Sequence, residues 1–159
     1  ERSSTVIDVA GTQLGLVGTK GFVGGFPGSS LPDFGEPLLR QVYAEADKDV
    51  DALEEGLTAV DGVPLRVVLL HYSPTMSTLR GEPESIWTFL GTNRLEGPIQ
   101  KHKPDLVLHG HAHGGTFAGA VGAVPVYNVA VHVIRREFFV FELDSDAPDG
   151  SGARLEAAI

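Results

Sequence analysis

The chain has 159 residues, 42% of them apolar and 21% charged, the length of one domain with enough apolar content for a core. A formal charge of −9 without a basic cluster argues against nucleic acid or an anionic membrane as the main partner, and the charge itself serves solubility. The absence of cysteine excludes disulfides, thiolate zinc sites and cysteine nucleophiles and fits a reducing, cytoplasmic setting, while no apolar run approaches the roughly 20 residues that span a bilayer. No signal-peptide pattern is visible. The chain starts at Glu1 and its one methionine is Met76, which reads as a chain processed, trimmed or cut from a longer one.

Thr5–Val9 and Leu14–Val17 read as short strands about a turn containing Gly11, a hairpin. Gly18 to Gly35 is rich in glycine and proline and reads as a long surface loop, a lip over a site. Gly18-Thr19-Lys20-Gly21 superficially suggests a phosphate-cradling loop, but the spacing fails G-x-x-x-x-G-K-[ST] and no helix begins directly after it. Pro37 suits a first helical turn, and Leu39, Val42, Ala46, Val50, Leu53, Leu57 and Val60 recur at steps of three or four. That predicts one amphipathic helix from about Pro37 to Val60. Asp47, Asp49, Asp51, Glu54 and Glu55 scatter round this helix and read as its wet face rather than a metal cluster.

Leu65-Arg66-Val67-Val68-Leu69-Leu70 is a run of the kind buried on both faces of a sheet, and it stops at His71 before the turn chemistry of Tyr72-Ser73-Pro74-Thr75. A loop with Gly81-Glu82-Pro83-Glu84 leads to a short helix around Ser85–Leu90, whose Trp87 reads as a core anchor rather than a pocket wall. Arg94 to Lys101 reads as a further helix, interrupted at Pro98. Leu106–Leu108 is a strand, and Val124–Asn128 and Glu137–Leu143 read as a pair of strands. From Asp144 on, Asp, Pro, Gly, Ser and Ala dominate, so residues 1–143 form the domain and 144–159 a flexible tail.

The chemistry concentrates in Leu106-Val107-Leu108-His109-Gly110-His111-Ala112-His113-Gly114-Gly115, an apolar strand ending in three of the chain's six histidines. An i, i+2 pair on extended backbone points both imidazoles to one side, so His111 and His113 can converge on one metal or on two adjacent ones. Neutral imidazole is the commonest metal ligand at ordinary pH. The glycines let the loop wrap closely round an ion and its substrate. His71 ends a second buried-type strand, and ligands in layered α/β proteins gather outside strand ends.

On these two motifs, VVLLHYSP and the G-H-x-H loop at Gly110-His111-Ala112-His113, followed by Val124-Pro125-Val126-Tyr127-Asn128, the chain resembles the C-terminal half of the calcineurin-like metallophosphoesterases. The resemblance implies an α/β fold, half of a layered αββα sandwich with a mixed sheet and flanking helices. It implies a dinuclear centre of divalent transition metal ions, Mn, Zn or Fe, with His71 and His111 on one ion and His113 on the other. His109, one pleat earlier, would stand behind the ligands. The implied activity is metal-dependent hydrolysis of a small-molecule phosphoester. The family's D-x-H, G-D-x-x-D and G-N-H-[DE] motifs, which supply the bridging aspartate, the asparagine ligand and the acid/base histidine, are absent. Gly91-Thr92-Asn93-Arg94 lacks the histidine and the acid and falls at the wrong place in the order. No catalytic residue is therefore assigned, and an upstream segment or a second chain would complete the domain. Two other readings compete: a degenerate metal-binding or interaction module without catalysis, and a mononuclear three-histidine zinc hydrolase.

Overall fold

The computed structural model describes residues 2–145 and 153–156. Ala10 and Gly11 take φ of 53° and 88°, the two positive angles that a two-residue hairpin turn needs, and Asp8 Oδ1 accepts the Gly11 N–H at 3.0 Å. This turn joins β1 (Ser3–Val9) to β2 (Thr12–Gly18) as an antiparallel pair. Within the glycine-rich segment lies a small antiparallel ribbon, β3 (Gly25–Phe26) and β4 (Ser29–Ser30). Then come α1 (Pro37–Ala59), β5 (Leu65–Leu69), α2 (Trp87–Leu90) and α3 (Glu96–His102). The chain continues through β6 (Leu106–His109), β7 (Ala118–Val121), β8 (Val124–Asn128), α4 (Val131–Ile134), β9 (Val140–Leu143) and β10 (Ala153–Glu156).

Six strands form one mixed sheet in the order β1-β2-β5-β6-β8-β7, with β2, β5, β6 and β8 parallel and the two edge strands antiparallel. The expected mixed α/β sheet with flanking helices is the fold observed. Strand alternation divides the apolar residues between two faces. Val17, Val68, Val107 and Val126 meet Leu53 and Leu57 of α1 and Ile99 of α3 in a fully buried core. Gly15 sits where a Cβ would approach Val60 to 2.8 Å, which lets α1 lie close on the sheet. Among the described residues, the other face, with Val67, Leu106 and Tyr127, is covered only in part, by Phe117, Phe141 and Leu143. Leu69, in a central strand expected to be buried on both sides, is 43% exposed there.

Several local readings change. Val124–Asn128 pairs not with Glu137–Leu143 but with β6 and β7, and β9 pairs with β10 in a separate ribbon. Strand β7 reads AGAV, a composition of low strand propensity, and Gly119 is needed because a Cβ would collide with Ser77. Of the segment read as a tail, Ala153–Glu156 is a strand, and residues 146–152 and 157–159 lie outside those described. Pro98 does not interrupt a helix. It is the third residue of α3, where the N–H has no helical acceptor to lose. Asp49 is not on the wet face of α1 either: it is 1% exposed and accepts from Thr19 Oγ1 and, at 3.0 Å, from Arg2 Nε. Trp87 packs against Phe26, Leu79, Leu90 and Ala112, as a core anchor would.

Candidate functional site

Because β2, β5, β6 and β8 run parallel, their carboxyl ends come out on one edge of the sheet. Lys20 follows β2, His71 follows β5, His109 closes β6 with His111 beyond it, and Asn128 closes β8 with His132 beyond it. Such an edge is where ligands of open α/β sheets bind.

His71 and His111 are brought together, with ring centroids 4.7 Å apart. The backbone fixes both. The His71 and Tyr72 N–H groups donate to the Lys20 carbonyl at 3.0 Å, and Gly110 N–H donates to the His71 carbonyl at 3.2 Å. His111 takes φ of 66°, a left-handed conformation unfavourable for a residue with a side chain, and its Nε2–H donates to the Phe89 carbonyl at 3.1 Å. That bond sets the tautomer: in the neutral ring Nδ1 carries the lone pair. Tyr72 stands against both imidazoles, 5.2 Å from His71 and 4.5 Å from His111. Partial burial, then the charges of His111, Lys20 and His113, push the His71 pKa down. A neutral imidazole is what a metal needs, so the donor chemistry of this pair fits a borderline transition ion. Lys20, Gly18, Leu69, Leu70 and His71 also line a cavity of about 300 Å³ beside the pair.

His113 goes elsewhere. Its ring stacks on His132, a residue not singled out in the sequence, with centroids 4.3 Å apart and 21° between planes. Among the described residues, no group of three or more His, Cys, Asp or Glu side chains is arranged to hold a metal ion. The mononuclear three-histidine alternative needs His71, His111 and His113 at one point, and the structure pairs them two and two with His132.

His109 is different in kind. It is 1% exposed, Nδ1–H donates to the Gly110 carbonyl at 2.8 Å, and Nε2 accepts from Thr78 Oγ1 at 2.8 Å. Both nitrogens are committed, and burial pushes its pKa down to about 4. The loop it leads into is clamped from several sides. Glu82 Oε1 accepts from Gly114 N–H at 2.6 Å, Thr116 N–H donates to the Thr78 carbonyl at 3.0 Å, and Asn128 Nδ2 donates to the Ala112 carbonyl at 2.7 Å. Gly115 is the only residue type that fits its place, since a Cβ would collide with the Thr78 carbonyl.

No family model matches the chain, and no curated protein matches it in sequence. In structure it is similar to a provisionally assigned 5'-nucleotidase from Staphylococcus aureus, solved in complex with alpha-ketoglutarate, at a TM-score of 0.50 and 14% identity. The match covers 96% of this chain and 28% of that one, so the chain spans little more than a quarter of the neighbour's length. At that identity the likeness concerns the fold. Among the described residues no helix is long and apolar enough to cross a membrane.

Proposed function

We propose that this chain carries the histidine half of a metal-dependent phosphoester hydrolase site. The observation that carries the reading is the His71–His111 contact at the carboxyl edge of the parallel strands, held by the Lys20 and Phe89 carbonyls. His71 and His111 hold one divalent transition ion, Mn, Zn or Fe, and His113 serves a second. Bound metal supplies a water of lowered pKa and offsets the charge that develops on a phosphoryl group during in-line displacement. The chain's own groups do the rest: Tyr72 walls the histidine pair, His109 and Asn128 fix the loop from behind, and Lys20 offers a cation to an approaching anionic ester.

The remaining ligands come from an upstream segment or a second chain, which also covers the open face of the sheet. Exposure of Leu69 in a central strand supports this, since strands of parallel sheets are normally buried on both faces. The fold likeness to a nucleotidase points to small phosphoesters, nucleotide monoesters among them, as substrates to test.

The test is hydrolysis of an aryl phosphate with added Mn²⁺ or Zn²⁺. Residues 1–159 should act barely above free-metal background. Joined to roughly 100 residues of the upstream coding sequence, the scale of half such a domain, they should turn over substrate, and His71→Ala or His113→Ala should abolish it. Chelator-sensitive turnover by 1–159 alone would contradict the need for further ligands. An inactive extended form would favour the interaction module.

A further inference from the structure

Four histidines lie on the open edge, and the reading above uses three. The fourth, His132, sits on α4 with its ring 4.3 Å from that of His113. Both side chains are exposed, so no burial forces them together. What brings them together is one buried amide. Asn128 is 0% exposed, its Nδ2 donates to the Ala112 carbonyl at 2.7 Å, and its Oδ1 accepts from Ala130 N–H at 3.1 Å. Ala112 precedes His113 and Ala130 lies two residues before His132, so a single rigid side chain ties down the backbone on which both histidines stand. His113 stands two residues beyond His111 in the same loop, so the second pair belongs to the same edge as the first.

We propose that His113 and His132 form a two-histidine site for one divalent transition ion, with His132 a ligand of the second metal position; this rests on the reading of His71 and His111 as the first. Bonds from a transition ion to imidazole nitrogen are about 2.0–2.1 Å, so two rings with centroids 4.3 Å apart are within reach of one ion. Both side chains are exposed, so a turn of either ring can bring one nitrogen of each onto the ion. The ligand class is Zn²⁺ or Fe²⁺, for which imidazole is well suited, and not Ca²⁺ or Mg²⁺, which take oxygen donors. The site draws on a net-negative protein, which favours cation approach.

The experiment is a competition titration of untagged residues 1–159 with Zn²⁺, counting tightly bound equivalents, alongside an amide NMR spectrum of each variant to show that the fold persists. Wild type should bind two equivalents. His132→Gln and His113→Gln should each lose one and keep the other, with spectral changes confined to the edge loops. His71→Gln should lose the opposite one. Two equivalents of unchanged affinity in His132→Gln would overturn the proposal, and so would a wild type that binds one equivalent, removed by His71→Gln but not by His132→Gln. That last result leaves the first pair standing. One equivalent lost in His132→Gln and kept in His71→Gln would instead uphold the second pair and sink the first. A wild type that binds none overturns both.

Discussion

His109 and His111 are two residues apart in one loop, yet they belong to opposite regions. His109 lies inside, both ring nitrogens spent on the Gly110 carbonyl and the Thr78 hydroxyl, and Thr78 is in turn 2.9 Å from Ser73 Oγ in a buried hydroxyl chain. His111 lies on the rim with one nitrogen tied to the Phe89 carbonyl and the other carrying a lone pair, 4.7 Å from the ring of His71. Residue type and spacing do not separate the two. What separates them is whether a nitrogen is left over after the backbone and neighbouring hydroxyls are satisfied, and of the two His111 meets that condition. The buried histidine therefore belongs to stability, and the open pairs are the ones proposed to bind a ligand.

The largest expected effect tests that division directly. His109→Ala removes a packed ring and leaves Thr78 short of a partner, and should lower unfolding free energy by about 3 kcal/mol in urea titrations. His71→Ala, at an exposed position, should stay within about 0.5 kcal/mol of wild type. Equal losses in both would erase the distinction.

A pH effect of similar size follows from the same burial. In the unfolded chain His109 takes up a proton near its ordinary value of 6.5, while in the folded protein it does so only near 4. Between those values the unfolded state binds more protons, so stability is fully present above about pH 6.5 and is lost as pH falls through 4. At 1.36 kcal/mol per pKa unit the loss reaches about 3 kcal/mol. Carboxylates held low by cations, such as Glu54 beside Lys101 and His102, add to acid sensitivity in the same direction. The informative quantity is therefore the difference: His109→Gln should show a flatter stability profile than wild type between pH 7 and 4. Parallel profiles would place the proton elsewhere.

A smaller effect sharpens the comparison where the two regions meet. Asn128→Ala leaves the Ala112 carbonyl and Ala130 N–H without their partner and should cost about 2 kcal/mol. It should also raise amide exchange in residues 111–113 and 130–132 more than in β5. Uniform exchange changes would mean that Asn128 supports the sheet generally and not these two loops.

The legible part of this molecule was what periodicity and local chemistry determine. The apolar runs before His71 and His109 announced β5 and β6, and Pro37 with its three-and-four spacing announced α1. The i, i+2 spacing that would aim His111 and His113 to one side does not hold, because His111 takes a left-handed φ of 66° and His113 turns to His132. The illegible part depended on contacts made across long stretches of sequence. His132 sits in Val131-His132-Val133-Ile134, an apolar setting that gives no sign of a ligand, and it meets His113 only because Asn128 joins two loops. A clue lay in Asn128 itself, a polar residue closing an apolar strand. Asp49 looked solvated because helix position alone could not reveal Arg2 and Thr19 packing over it. AGAV lacked the branched side chains that mark a strand, yet β8 needed an edge partner and small residues beside Ser77 allowed it.

The central claim is that the rim pair, His71 and His111, binds a transition metal ion. It is tested most directly by calorimetric titration of untagged protein with Zn²⁺ at pH 7.5, wild type against His111→Ala. Loss of one of two imidazole ligands should weaken the site associated with His71 at least about tenfold, equivalent to 1.4 kcal/mol, while the unfolding free energy changes little. Unchanged affinity and stoichiometry in His111→Ala would contradict the account.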